Sequence, residues 1–298
     1  MDGILNIDKP QGWTSHDVVA WVRRLLRVKR VGHAGTLDPL ATGVLLVCVG
    51  QATRLSEYVM ASDKSYRAQV QLGTSTDTYD LDGDVVQVRP LPEGLDLENI
   101  REALAAFQGD LMQTPPVYSA IKQGGVALHR LARRGEAVQP QARPVHIHHI
   151  ELVDWSPPVV TVNVTCSPGT YIRSLAHDLG EALGCGGTLA SLRRTRSGAF
   201  SVDTALAPDD IAEAFRSGSL NEHLKPMTAA LTSLTPVEVT EADAARLRTG
   251  GPIPHSSDQP PTSTTAYAID ASGGVVAILR YASEQNDWWP DKVFLAAT

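Results

Sequence analysis

Residues 32–43 read GHAGTLDPLATG. The stretch carries one carboxylate, Asp38, between Leu37 and Pro39, with His33 ahead of it and glycines at 32, 35 and 43. Asp and Pro are common turn residues, so an ordinary turn is the plain reading. The whole string favours more than that. Small residues let a bulky partner approach the backbone closely, and the apolar run VLLVCVG that follows has the length and continuity of a buried strand. A loop of this kind can aim its carboxylate at a bound partner. No second acid lies near it in sequence, so a paired acid–base dyad is not indicated.

Other stretches invite chemistry and fail its templates. TDTYDLDGD (76–84) resembles a calcium loop, but with Gly83 in the sixth position the first is Thr78 and the twelfth Arg89, neither an acidic ligand. An Asp-rich turn fits better. HIHH (146–149) alternates along a strand and has no Cys or His partner at finger spacing, which makes it a surface strand. GGVALHR and GCGG match neither the phosphate loop GxxxxGK[ST] nor a GxGxxG opening a helix, so no nucleotide cofactor is indicated.

The elements that must position Asp38 follow from periodicity. GILNIDKP is a short strand stopped by Pro10. TSHDVVAWVRRLLRV is a helix opened by a Thr14–Asp17 capping box. KSYRAQVQLG is a strand with Tyr66, Ala68 and Val70 on one face, and DLENIREALAAFQGDL is a helix. PVHIHHIELVDW and VVTVNVTCS form an antiparallel pair around the turn SPP. YIRSLAHDLGEALGCG is a helix ending at glycines. Residues 114–144, rich in Gly, Pro and Gln and basic, form an insertion projecting from the body. After a boundary near 228–240, the strand candidates AYAID, VVAILRY and KVFLA and the loop HSSDQPPTSTT indicate a small β-rich second domain. Strands and helices do not alternate regularly, which favours an α+β fold over a doubly wound sheet. The expected division is a larger domain over 1–232 and a C-terminal domain over 236–298.

Composition sets limits. The chain has 298 residues, 43% of them hydrophobic, enough for a sizeable core. Its three cysteines, Cys48, Cys166 and Cys185, form no CxxC and read as reduced thiols of a cytoplasmic protein. The first residues lack the pattern of a signal peptide, and no apolar run is long enough to span a bilayer. The net charge of −7 argues against a general nucleic-acid coat. Yet basic residues cluster at Arg23–Arg30, at Arg130–Arg134 and in LRRTRSG (192–198). Each cluster alone reads as a solvated helix face; together they segregate charge as a phosphate-tracking groove does.

GHAGTLDPLATGVL, taken in order with DKPQGWTS, KSYRAQVQLGTSTDTYDLDG, GTYIRSLAHDLGEALGCGG and LRRTRSG, closely resembles the TruB-type family of bacterial tRNA pseudouridine-55 synthases. The resemblance runs from about residue 3 to about residue 200 and implies the pseudouridine synthase fold. That fold is a central mixed, mainly antiparallel sheet flanked by helices, with a PUA-like C-terminal domain. It implies isomerisation of one T-loop uridine of tRNA, without cofactor or metal, by a monomer. On this resemblance Asp38 is the catalytic aspartate, Arg173 the arginine that pairs with it, and Tyr66 the aromatic that stacks on the reacting base. Tyr171 and Leu192 are pocket walls, and His33 fills the space left by the flipped base. Lys64 and Asp80 are polar positions near the site. The arm at 114–144, with Arg130, Arg133 and Arg134, grips the T-loop.

Two other readings stand beside this one. A tRNA-binding chaperone would need no catalysis, and Asp38, Tyr66 and Arg173 together argue against it. A related enzyme of the same fold could act on another RNA. A metal-dependent hydrolase is disfavoured because no ligand set is legible.

Overall fold

A computed structural model of the chain describes residues 1–119, 121–134, 138–257 and 259–295, except the side chains of residues 122, 123, 127, 129 and 133. The chain opens with β1 (Gly3–Lys9) and α1 (Ser15–Leu26). The capping box forms: the Thr14 hydroxyl accepts from the Asp17 amide and the Asp17 carboxylate accepts from the Thr14 amide. Then come β2 (Val31–Ala34), β3 (Ala41–Val49), the short helix α2 (Ser56–Met60) and β4 (Lys64–Leu72). A small hairpin, β5 (Thr74–Thr76) and β6 (Val85–Val88), precedes α3 (Leu97–Ala105) and β7 (Gly109–Gln113). The insertion contains β8 (Lys122–Gln123), β9 (Val126–Ala127) and α4 (Leu128–Arg133). β10 (Arg143–Ser156) and β11 (Val159–Cys166) lead to α5 (Ile172–Ala182), β12 (Gly187–Ser197) and β13 (Phe200–Ser201). α6 (Pro208–Ser217) and α7 (Leu220–His223) follow.

These strands build one mixed sheet in the order β1-β3-β12-β4-β11-β10-β7, with β2 added to β3 and β13 to β12. Every pairing is antiparallel except β12 with β3. β3 shows why VLLVCV is apolar throughout. Leu45, Val47 and Val49 pack with Val18 and Val22 of α1, Ile172 and Leu175 of α5 and Ile211 of α6. Val44, Leu46 and Cys48 face the opposite side, against Ile4, Phe200, Tyr267, Ile278 and Phe294. A strand covered on both faces has no polar side to display.

Tyr267, Ile278 and Phe294 belong to the C-terminal region. There, β14 (Thr235–Glu238), α8 (Glu241–Arg248), β15 (Ile253–Pro254), β16 (Thr265–Ile269), β17 (Val275–Ala282) and β18 (Asp287–Val293) form a second sheet, ordered β14-β16-β17-β18-β15. It has its own core around Leu247, Val276, Leu279 and Trp288. No described helix is long and apolar enough to cross a membrane.

Several boundaries differ from the sequence reading. The helix expected through Leu111 stops at Ala105, and Gly109 turns the chain at φ +101° into β7, which pairs with β10. Of KVFLA, Lys292 and Val293 end strand β18, which begins earlier, at Asp287, with Trp288 opposite Tyr281, and Ala296 lies outside the described residues. LRRTRSG lies on strand β12, not on a helix face, and Arg194 within it is buried. The cysteines are unpaired and buried.

Candidate active site

Asp38 sits where β3 exchanges one edge partner for another. β2 pairs with β3 along Leu46–Val49, and β12 takes over along Ala41–Gly43. Residues 35–40 cross between them, and that crossing is held tightly. Ser15 Oγ donates to the Leu37 carbonyl at 3.0 Å and accepts from the Leu37 amide at 2.8 Å. The buried Lys9 ammonium donates to the carbonyls of Pro10, Trp13 and Pro39. Arg194, 2% exposed, reaches under the loop from β12 and donates from Nε to Val44 O at 2.6 Å and from Nη2 to Gly35 O at 3.0 Å. Gly43 is required here: its φ is +94°, and a Cβ would lie 2.2 Å from the Arg194 carbonyl.

Arg173, in the first turn of α5, comes to Asp38 from the other side. Its Nε lies 3.0 Å from Asp38 Oδ2. Its Nη1 lies 3.4 Å from Asp80 Oδ2 and donates to Thr78 O at 3.1 Å, while Nη2 donates to Tyr118 O at 3.0 Å. A cation in a helix's first turn opposes the helix dipole; two carboxylates and two carbonyls offset that here. The helix start is fixed separately, because the Gln113 side chain accepts from Tyr171 N at 2.8 Å and donates to Tyr171 O at 3.0 Å. Burial pushes the Asp80 carboxyl above the usual carboxylate range and the Asp38 charge adds to this, while the Thr78 hydroxyl and Arg173 pull it back. The Arg173 side chain is 7% exposed and Asp38 38%, so solvent reaches the carboxylate and not its cation.

The remaining candidates divide. Tyr66, partly buried on β4, stands opposite Arg194 in register. Burial raises its hydroxyl pKa, the Asp38 charge adds to that, and Arg194 opposes it. Leu192 is buried beside Ala41 and Ala68. His33, on β2, meets His16 edge-on at 5.2 Å. Burial, with the charges of His16 and Arg194, holds its pKa down at about 4, so the ring is neutral; its buried Nδ1 has no hydrogen-bond partner among the described residues. The Tyr171 ring is faced by the Arg143 guanidinium at 5.1 Å. Lys64 is buried and turns its ammonium onto the carbonyls of Met60 and Ser62. Arg130 and Arg134 are exposed on the insertion, and the side chain of Arg133 lies outside the described residues. Sequence reasoning missed Lys9, Ser15, Gln113 and Arg194, whose partners are mostly backbone atoms that no motif displays.

Residues 77–84 close on themselves, with Asp84 N donating to Asp77 Oδ1 at 2.9 Å. His146 pairs with Asp110 at 2.7 Å and His148 with Asp63 at 3.2 Å. Among the described residues no group of three or more His, Cys, Asp or Glu could hold a metal ion.

This architecture is shared with chains of solved complexes. A chain from a structure of an H/ACA RNP bound to a substrate RNA containing 2′-deoxyuridine superposes with a TM-score of 0.75 at 25% identity, covering 98% of this chain and 85% of that one. A chain of a Cbf5-Nop10-Gar1 complex does so with a TM-score of 0.75 at 27% identity, covering 98% and 85%. Among curated relatives, the tRNA pseudouridine synthase B of Dehalococcoides mccartyi is 43% identical over 99% of this chain and 97% of its own length. That of Opitutus terrae is 45% identical over 78% and 96%. The N-terminal domain of the TruB family pseudouridylate synthases matches residues 23–172, and the tRNA pseudouridylate synthase B C-terminal domain matches residues 173–232. The chain belongs to the TruB family of pseudouridylate synthases, and is an isomerase.

Proposed function

We propose that the protein isomerises uridine 55, in the T-loop of tRNA, to pseudouridine, with Asp38 as its essential carboxylate. The observation that carries this is the pairing of a solvent-reachable Asp38 with a buried Arg173 held by three further partners. A guanidinium fixed on every side holds the carboxylate in one direction.

The chemistry follows from the groups present. The target nucleotide leaves its stack to reach the carboxylate, and an aromatic ring beside it recovers roughly 1–3 kcal/mol of stacking. Tyr66 supplies that ring. Asp38 acts on the ribose, either by attack at C1′ or by removal of a sugar proton; both need a charged carboxylate against the sugar. The N1–C1′ bond breaks, uracil turns, C5 bonds to C1′, the hydrogen on C5 leaves and N1 gains a proton. No atom comes from a second substrate. Leu192 and Tyr171 border the space the base uses, and His33 fills the place the flipped base leaves. Asp80 acts through Arg173, and Lys64 holds the start of β4.

The exposed cations of the insertion, Arg130 and Arg134, and those at the end of α1, Arg23, Arg24, Arg27, Lys29 and Arg30, would follow phosphates. The same reading divides the chain at 232/236 and takes the β14–β18 sheet as a PUA-like RNA-binding unit. It has the protein working as a monomer in the cytoplasm, on tRNA.

The test is hydrogen release from a T-arm stem-loop RNA tritiated at C5 of its uridines. One equivalent released per RNA is expected, and none from Asp38→Asn although that variant still binds the RNA. Release by Asp38→Asn, or no release by the wild type from bound RNA, would overturn the proposal.

A further inference from the structure

We propose that Tyr79 and His177 form a positioning pair for the isomerisation, a ring stack that holds Thr78 and Asp80 against Arg173. The inference rests on the roles of Asp38 and Arg173 proposed above.

Tyr79 lies between the two residues that grip Arg173 Nη1, the Thr78 carbonyl at 3.1 Å and the Asp80 carboxylate at 3.4 Å. It takes a φ of +64°. A bulky aromatic residue seldom adopts that left-handed conformation unless its surroundings impose it. Here they do so from three directions. Its ring lies on the His177 ring with centroids 4.0 Å apart and planes 8° from parallel. Its carbonyl accepts from Leu189 N of β12 at 2.9 Å, and its amide donates to Thr76 O at 3.3 Å.

His177 is four residues beyond Arg173 on α5, hence on the same side of the helix. The stack therefore joins the loop carrying Asp80 to the helix carrying Arg173, one turn from the ion pair. His177 Nδ1 is buried and has no hydrogen-bond partner among the described residues, so the face of the ring is what this side chain offers the loop. A second tie to α5, Arg89 to Glu181, lies a further turn along the helix and fixes the far end of the hairpin, while Leu81 N, donating to Leu189 O at 3.2 Å, joins the near end to β12. Without the ring, the backbone hydrogen bonds of residue 79 to Leu189 and Thr76 remain, but the loop loses its side-chain tie to α5, the helix that carries Arg173. Movement of the loop against the helix then draws Thr78 O and Asp80 from Nη1 and lets Arg173 tilt from Asp38.

The experiment compares Tyr79→Phe, Tyr79→Gly and His177→Ala in the full-length chain. Phenylalanine keeps the stack; glycine removes the ring yet accepts a positive φ without strain. Single-turnover release of C5 tritium and dissociation constants for the T-arm stem-loop are measured, also in an Asp80→Asn background. We expect Tyr79→Gly and His177→Ala each to slow turnover about tenfold, with RNA affinity within about twofold of wild type and Tyr79→Phe near wild type. In the Asp80→Asn background the glycine substitution should cost little more, because both act through one guanidinium. Full-rate turnover by Tyr79→Gly overturns the inference, as does a loss that multiplies with Asp80→Asn or appears wholly as weaker RNA binding. Should Tyr79→Gly fail to fold, His177→Ala reads the same stack from the helix side. A wild type that releases no tritium from bound RNA overturns the isomerase reading and this inference together. An active wild type with an unimpaired Tyr79→Gly overturns the stack alone.

Discussion

Arg173 Nε stands 3.0 Å from the Asp38 carboxylate, and the rest of that guanidinium is already committed to Asp80, Thr78 and Tyr118. These partners come from the loop before β3, the loop after β5 and the start of the insertion. One side chain therefore ties together three segments that meet only in the folded protein.

Lysine cannot replace that arginine. An ammonium is a compact charge on a flexible stem and lacks the planar fork that reaches several partners at fixed angles. Arg173→Lys should lower turnover by about 10²-fold, with RNA affinity much less affected. Arg173→Met leaves Asp80, 4% exposed, without its cation, and should cost about 3–5 kcal/mol of stability. Urea melts and single-turnover rates separate the two effects; a Lys variant with wild-type turnover would refute the argument.

Much of this arrangement was legible in the sequence. The buried strand after Asp38 shows as an unbroken apolar run, the cap of α1 as Thr14 and Asp17, and the inward face of β4 as Tyr66, Ala68 and Val70. Arg194 was not legible. Its string, LRRTRSG, has the composition of a solvated surface, and only the loop it supports, more than 150 residues earlier, explains its burial. The end of α3 was also missed: AAFQGDL continues a helical pattern, but pairing of Gly109–Gln113 with β10 overrides it. The strand β18 was misplaced because its register is set by β17 across the sheet, not by its own alternation. Helix α8 was overlooked although Thr240 and Asp243 form a capping box.

Removal of Arg194 should loosen the catalytic loop. Arg194→Met leaves the carbonyls of Gly35 and Val44 without their donor in a buried place. An unsatisfied buried group costs about 1–3 kcal/mol. Denaturation should show a loss of that order or somewhat more, with turnover falling alongside because Asp38 stands on the same loop. An unchanged urea midpoint would mean that the clamp is dispensable.

Gly43 and Gly12 make a controlled comparison. Both have positive φ, +94° and +83°, but a Cβ on Gly43 would strike the Arg194 backbone whereas one on Gly12 meets nothing within 4 Å. Gly12→Ala should cost only the backbone strain, about 1 kcal/mol. Gly43→Ala adds a backbone clash between β3 and β12 and should cost about 2–3 kcal/mol more. Equal melting shifts for the two would show that the strands can separate freely.

His33 should make stability fall in mild acid. Burial, then the charges of His16 and Arg194, lowers its pKa from an ordinary 6.5 to about 4. Below pH 6.5 the unfolded chain protonates this ring while the folded chain does not, so the unfolded state binds more protons and gains relative stability as pH drops. The loss accumulates from about pH 6.5 down to about 4 and then levels off, because below 4 both states carry the proton. Above 6.5 both rings are neutral and the group contributes no slope. In His33→Asn this component is absent. The urea midpoint of the wild type should therefore fall more steeply than that of the variant between pH 6.5 and 4, and the two should run parallel from pH 7 upward. Parallel curves across the acid range would mean that the imidazole titrates alike in both states, and that the pocket beside the Asp38 loop does not exclude its charge.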